Sequence, residues 1–409
     1  MKKQVLLYLI LLLTTAKIQS QERINSNGKI PILAWYSIPA SETTVERYQE
    51  MKDAGITHSL SFFANVTDLQ KALDVAAKVG VKLIVNCHEL KTDPEKTVRL
   101  VMNHPATAGY HLIDEPGIGL YKELGDWGRR IQAVDSKHFC YVNLFPNFAD
   151  SITQLGTKDY RKYVSECARQ IPLQFLSFDY YPVLKDRLSK TWYENLEQFS
   201  SEAKKANKPF WAFALTTNYD DGHLTPQTLA AMRLQVYSNL AYGAQGIQYF
   251  TYWSATSVNA PSTEDQRGAP ITADGKRSVV YDRVKQMSEE IRNLSGVFLG
   301  AKMLWVRHSA KGMIPAGTIR LTSLPDPVKV LDSNGAPILV SLLENGDFNY
   351  LVVVNKDFLN SINFTFFGDD TVKKVLKDGT MVPASTYEPS LELDPGDAAI
   401  YQFPKSKSH

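Results

Sequence analysis

The sequence predicts an α/β protein: a (β/α)8 TIM barrel followed by a C-terminal antiparallel β-sandwich. Three observations carry that reading. From residue 32 to about residue 298 one unit recurs, a short apolar run, a polar loop and a helix-period segment. Beyond residue 296 the helical period gives way to short alternating runs separated by turn residues. Several of the first set of runs end on carboxylates, amides or aromatics, as barrel strands do where they reach a functional face.

The elements follow in order. Residues 1–20 read as a signal peptide: Lys2 and Lys3, an apolar run from Val5 to Leu13, then a more polar stretch to Ser20. That run is shorter than the roughly 20 residues a bilayer requires, so no membrane span is expected and the location is read as secreted or periplasmic. The barrel is assigned to residues 21–300 and the sandwich to residues 301–409. Removing Lys2, Lys3 and Lys17 from the formal net charge of +2 leaves −1, with signs interspersed, so nothing favours a nucleic-acid partner. Cys87, Cys140 and Cys167 form no metal-ligand spacing, and only Cys140 with Cys167 is a candidate bridge.

Eight strands are expected, at 32–39, 57–65, 82–89, 108–116, 138–146, 174–182, 209–217 and 246–254. Their near-continuous apolar character suits a parallel sheet covered by helices. Thr43 with Glu46, Thr67 with Gln70, and Thr225 before Pro226 have the spacing of helix N-caps. Gly55, Gly80 and Gly243 fall where αβ turns need a left-handed residue. An open doubly wound sheet would place a glycine-rich phosphate turn after the first strand, where the chain has Ser37-Ile38-Pro39-Ala40-Ser41-Glu42. In the second region strands are expected at 303–307, 318–322, 328–331, 338–343, 350–355, 362–365, 372–376 and 398–403, with turns at Asn334-Gly335, Asn345-Gly346 and Asp378-Gly379.

The strand ends collect Trp35, Asn65, His88, Glu89, Asp114, Glu115, Asn143, Asp179, Tyr181, Tyr252 and Trp253. No lysine ends a strand, which removes Schiff-base aldolase chemistry. The first strand lacks the HxH of metal-dependent amidohydrolases, and one imidazole at His88 beside Glu89 and Asp114 is a thin basis for a metal, so none is expected. Paired carboxylates with aromatic platforms suit glycoside hydrolysis, which needs one carboxylic acid to protonate the leaving oxygen and a second carboxylate as nucleophile or base. That chemistry requires no cofactor.

Tyr110-His111-Leu112-Ile113-Asp114-Glu115-Pro116 resembles the fourth-strand signature of the retaining TIM-barrel glycoside hydrolases that include the family 42 β-galactosidases and family 5 glycanases. Residues 281–294 are similar to the last barrel helix of such enzymes, and residues 393–401 to the closing strand of their C-terminal sandwiches. The resemblance implies that Glu115 is the general acid/base. It departs in two places: the asparagine before the acid is Asp114 here, and the seventh-strand glutamate nucleophile is missing from Ala212-Phe213-Ala214-Leu215-Thr216-Thr217-Asn218.

The replacement is Asp179 in Phe178-Asp179-Tyr180-Tyr181-Pro182, since strand alternation puts Ser177, Asp179 and Tyr181 on one face. Glu89 is the other candidate. Trp35, His88, Asp114, Asn143, Tyr181, Tyr252 and Trp253 are expected to bind substrate. The expected function is therefore a secreted glycosidase acting on a carbohydrate. The competing readings are a glycan-binding barrel that lost its nucleophile, and a hexosaminidase-like enzyme that uses Asp114 and Glu115 with the substrate's acetamido group.

Overall fold

The computed structural model describes residues 28–184, 187–218, 228–254, 268–384 and 388–405. The signal peptide reading and the Thr225–Pro226 cap lie outside them. The first sheet has eight parallel strands: β1 Ile32–Trp35, β2 His58–Leu60, β3 Lys82–Val85, β4 Thr107–Asp114, β5 Phe139–Asn143, β6 Leu176–Phe178, β7 Phe210–Leu215 and β8 Gly246–Phe250. Their order is β5-β4-β3-β2-β1-β8-β7-β6. Leu144 closes the ring by pairing with Phe178: its N–H donates to Ser177 O at 2.9 Å, and its carbonyl accepts from Asp179 N at 3.4 Å. The fold is the expected TIM barrel.

Each strand leaves the ladder before its apolar run ends. The clearest case is β3, which stops at Val85, so that His88 and Glu89 open a short helix instead of ending a strand.

The helices are α1 Val45–Asp53, α2 Val66–Val79, α3 His88–Thr92, α4 Pro94–Val101, α5 Tyr121–Val134, α6 Tyr160–Gln170, α7 Trp192–Lys205, α8 Leu229–Ala241, α9 Val279–Asn293 and α10 Ser295–Phe298. Gly55, Gly80 and Gly243 have φ of 81°, 78° and 96°, the left-handed turns expected of them. Two N-caps sit elsewhere than expected. Thr44, not Thr43, accepts from Arg47 N. Asn65, not Thr67, accepts from Asp68 N, and the Asp68 carboxylate accepts in return from Asn65 Nδ2 at 3.0 Å. Asparagine outranks threonine as a cap, and here it completes a reciprocal pair.

Large rings fill the barrel interior. Phe175 stacks on Trp211 with centroids 4.3 Å apart, and Phe139, Tyr141, Phe213 and Trp35 complete the layer. Glycines on neighbouring strands make room for them. A Cβ on Gly246 would lie 2.5 Å from the Trp211 ring, and one on Gly109 would lie 2.4 Å from Phe139 Cδ2 and 2.6 Å from its carbonyl oxygen.

The C-terminal region forms two antiparallel sheets. The larger contains β9 Lys302–Ser309, β11 Ile338–Asn345, β12 Phe348–Asn355, β14 Lys373–Val375, β15 Met381–Pro383 and β17 Ala398–Pro404; the smaller contains β10 Val328–Asp332, β13 Ile362–Gly368 and β16 Glu388–Leu393. The run at 318–322 is not a strand; only Arg320 bridges to His308. β15 and β16 were not anticipated.

The two sheets pack through Phe366 and Tyr401, stacked at 3.6 Å, with Val340, Leu342, Leu351 and Val353 around them. The opposite face of the larger sheet, Leu339, Leu343, Val352, Val354 and Ile400, joins the core that covers the barrel helices. Cys140 and Cys167 are free, buried thiols, as is Cys87. No helix among the described residues is long and apolar enough to cross a membrane.

The Gly109 contact gives a stability test. Gly109→Ala forces a methyl against a backbone carbonyl that cannot move aside, and an overpacked core costs about 1–3 kcal/mol. The midpoint of urea unfolding should fall accordingly.

Candidate active site

A regular strand sends neighbouring side chains to opposite faces, so Asp114 and Glu115 could not both face the barrel mouth from an unbroken β4. Two local distortions let them. The β4–β5 register shifts between His111 and Ile113, so His111 pairs with Tyr141, Ile113 with Val142 and Asp114 with Asn143. The extra residue resets the alternation and turns Asp114 inward.

Glu115 then takes φ of 49°, while its N–H still donates to Asn143 O at 2.9 Å. A residue before a proline usually takes an extended backbone, and Glu115 does not. A left-handed non-glycine residue costs roughly 1–2 kcal/mol, and here it directs the carboxyl back over the mouth.

Asp114, Glu115 and Asp179 converge there. Asn143 binds two of them with one amide: Nδ2 donates to Asp114 Oδ1 at 3.2 Å and to Asp179 Oδ1 at 3.1 Å. A buried chain fixes which way that amide faces. Tyr141 OH donates to Gln248 Oε1 at 2.7 Å, Gln248 Nε2 donates to Ser177 Oγ at 2.8 Å, and Ser177 Oγ donates to Asn143 Oδ1 at 2.9 Å. With both amide N–H groups engaged and only 2% of its surface exposed, Asn143 is placed to orient the two carboxyls.

The electrostatics follow from crowding three carboxyls. Glu115 and Asp179 lie close enough to shift each other's ionisation. Burial, together with the Asp114 charge, pushes Glu115 up to about 7. Burial also drives Asp179 well above the ordinary carboxylate range, with Glu115 and Asp114 adding to it and the Asn143 amide opposing. Asp114 opens to solvent, yet the surrounding walls displace enough water to raise it to about 6. Glu115 and Asp179 are therefore both held above the ordinary carboxylate range, by burial first and by neighbouring charge second.

The other expected site residues fall in different places. Tyr181 lies inside the mouth, its ring 5.4 Å from Phe250. Trp253 borders a 370 Å³ cavity with Tyr36, Phe62 and Glu42, but it is 5% exposed and lies beneath the Arg47 guanidinium. Trp35, 2% exposed, is floor beneath Phe62, and Tyr252 is wholly enclosed, so neither forms a wall of the open cleft. His88 is exposed on α3 beside Glu89. Glu89 turns to the Val66 and Glu89 backbone N–H groups, which outweigh its burial and lower its pKa, so it stands apart from the three carboxyls.

The exposed rings are Tyr36 and Phe62, 5.2 Å apart and each 45% exposed, and Phe148 beyond Tyr180. Phe62, Phe148 and Gln248 were missed, and His111 and Ser177 were given no role. The signal for Gln248 was an amide in mid-strand, within Gly246-Ile247-Gln248-Tyr249-Phe250.

His111 is neutral, since burial lowers it to about 4, and Asn86 Nδ2 donates to its Nδ1 at 2.9 Å. At the end of β7, residues 215–218 bring no carboxylate to the mouth.

A carboxyl whose folded pKa exceeds its unfolded one holds protons that the unfolded chain has released, so ionising it destabilises the fold. For Glu115 the window runs from its ordinary 4.5 to about 7. The melting temperature should fall as pH rises through that interval, and Glu115→Gln should flatten the slope. Calorimetric scans across pH check it, and equal slopes would refute the raised Glu115 carboxyl.

No protein-family model matches the sequence, and no curated protein matches it. Solved structures do match by shape. A catalytic mutant of a family 42 β-galactosidase from G. stearothermophilus aligns over 93% of this chain and 99% of its own, at TM-score 0.59 and 11% identity. A family 5 glycoside hydrolase from Bacteroides vulgatus aligns over 94% of both chains, at TM-score 0.57 and 10% identity. A β-galactosidase from the psychrophilic Marinomonas ef1 aligns over 65% of this chain, which spans 60% of that one, at TM-score 0.46 and 12% identity. The chain thus has the TIM-barrel fold, with its C-terminal sandwich, that the first two glycoside hydrolases share along almost their whole length.

Proposed function

We propose that the protein is an exported glycoside hydrolase in which Glu115 is the general acid/base and Asp179 the second carboxylate. One observation carries the reading: two neighbouring carboxyls, Glu115 raised to about 7 and Asp179 held well above the ordinary carboxylate range, at the mouth of a barrel whose neighbours in shape are glycoside hydrolases.

A raised pKa keeps Glu115 protonated where it must donate to the departing glycosidic oxygen. As that C–O bond breaks, Asp179 in its ionised form attacks the anomeric carbon through Oδ2, the oxygen not held by Asn143. Water then hydrolyses the glycosyl-enzyme while Glu115 takes its proton. Two successive displacements at the anomeric carbon through a glycosyl-enzyme give net retention. Tyr36 and Phe62 offer exposed faces for sugar C–H surfaces.

The test is product release from a panel of oligosaccharides and polysaccharides by wild type, Glu115→Gln and Asp179→Asn. Removing a general acid costs about 10²–10⁴ in rate, so both variants should lose that much or more while still binding sugar. Loss in Glu115→Gln alone points to the substrate-assisted reading with Asp114. Silence in all three with sugar affinity retained identifies a glycan-binding barrel.

Asn143→Ala supplies a further check. It removes the donors that orient Asp179 without touching substrate, so kcat should drop with KM nearly unchanged. A KM effect of the same size would return Asn143 to the substrate-binding role.

A further inference from the structure

Away from the carboxylates, the barrel and the sandwich enclose a cavity of about 800 Å³, in the range of small-molecule sites. Leu188, Ile314, Pro315, Pro337, Phe358 and Leu359 supply apolar walls, and Met313, 96% exposed, stands at the mouth. At its floor is Lys356, which follows β12 and is 7% exposed, while the other cations that line the cavity, Arg187 and Lys190, are exposed to solvent at its rim.

Its ammonium lies 3.2 Å from His308 Nδ1 and 5.4 Å above the Tyr193 ring, and among the described residues no carboxylate is within ion-pair distance. Asp357 next door is spent on Leu359 N, Asn360 N and Asn360 Nδ2. The nearest route to a carboxylate is a relay: His308 Nε2 meets Tyr242 OH at 3.0 Å, and Tyr242 OH donates to Glu197 at 3.0 Å.

An ammonium has three N–H donors, and one of these is used. Holding it out of water without an adjacent anion costs several kcal/mol, whereas methionine would fill the same space without that cost. Burial and the nearby Arg320 pull Lys356 down to about 8, which still leaves it largely cationic at neutral pH.

We propose that this cavity binds a small organic anion, a carboxylate carried on an aryl or alkyl body, with the Lys356 ammonium as its charge partner and the apolar walls around the body. The site is separate from the carboxylate cleft and does not depend on the function assigned to it. Its cation gives it a preference for acids over their amides, and its walls give it a preference for organic over inorganic anions.

The experiment is calorimetric titration of the whole protein with benzoate, 3-phenylpropanoate and octanoate, each beside its primary amide, and with sulfate. At least one acid should bind with Kd below about 1 mM and its amide about ten-fold or more weaker. Lys356→Met should abolish that difference. Ala316→Trp, a ring placed on the exposed rim, should exclude acid and amide alike, and it decides the matter if Lys356→Met fails to fold. Absence of binding by all three acids, equal binding of acid and amide, sulfate binding as well as the acids, or undiminished binding in Ala316→Trp would each overturn the proposal.

Discussion

Two adjacent residues of a β-strand cannot face the same way, and the charged mouth of this barrel depends on breaking that rule. The register shift at Leu112 re-aims Asp114, and the left-handed turn at Glu115 re-aims its neighbour. Neither distortion stabilises the fold. Both are held by surroundings that over-determine them: the β5 ladder, the Asn143 carbonyl that still accepts from Glu115, and Pro116 beyond, whose carbonyl accepts from Tyr163 OH at 2.8 Å. Strain kept in this way marks a place where geometry is worth more than stability.

Beneath the carboxyls, polarity is arranged in layers. The lower barrel is filled by rings that interlock with glycines. Above them lies a thin hydrogen-bonded stratum of Tyr141, Ser177 and Gln248, drawn from β5, β6 and β8. Since each donor in it has one acceptor, the chain has a direction, and it ends by presenting N–H groups upward through Asn143. A rigid amide of this kind lets two carboxyls approach each other without collapsing onto water-filled alternatives, and it favours the charged form of whichever it touches.

Much of the architecture was legible in the sequence because it rests on periodicity. Eight apolar runs with helices between them leave few topologies, and the glycines after α1, α2 and α8 marked the turns they form. The cap positions were less so: Asn65 competes with Thr67 two residues away, and only the reciprocal bond to Asp68 decides between them. In the site, a carboxylate before a proline drew attention to Glu115, and alternation placed Asp179 beside it. The bulge was invisible, since His111-Leu112-Ile113 looks like any apolar strand. Asn143 was read as a sugar ligand because its side chain is engaged by residues of two other strands, a fact that no local pattern carries. Trp35 and Tyr252 misled for a similar reason, because an aromatic at a strand end can be roof or floor.

The larger C-terminal sheet is greasy on both sides. Alternate residues of β11 and β12 pack against the smaller sheet and against the barrel helices, and Asn345 Nδ2 reaches back to the carbonyls of Gly296, Val297 and Leu299. Such a sheet is common property. Separated from its partner, either half would present a broad sticky face, so this is not a detachable cargo module on a linker. The two parts bury apolar surface against each other, and a lineage that exchanged the sandwich for another would have had to rebuild the outer surface of the barrel with it.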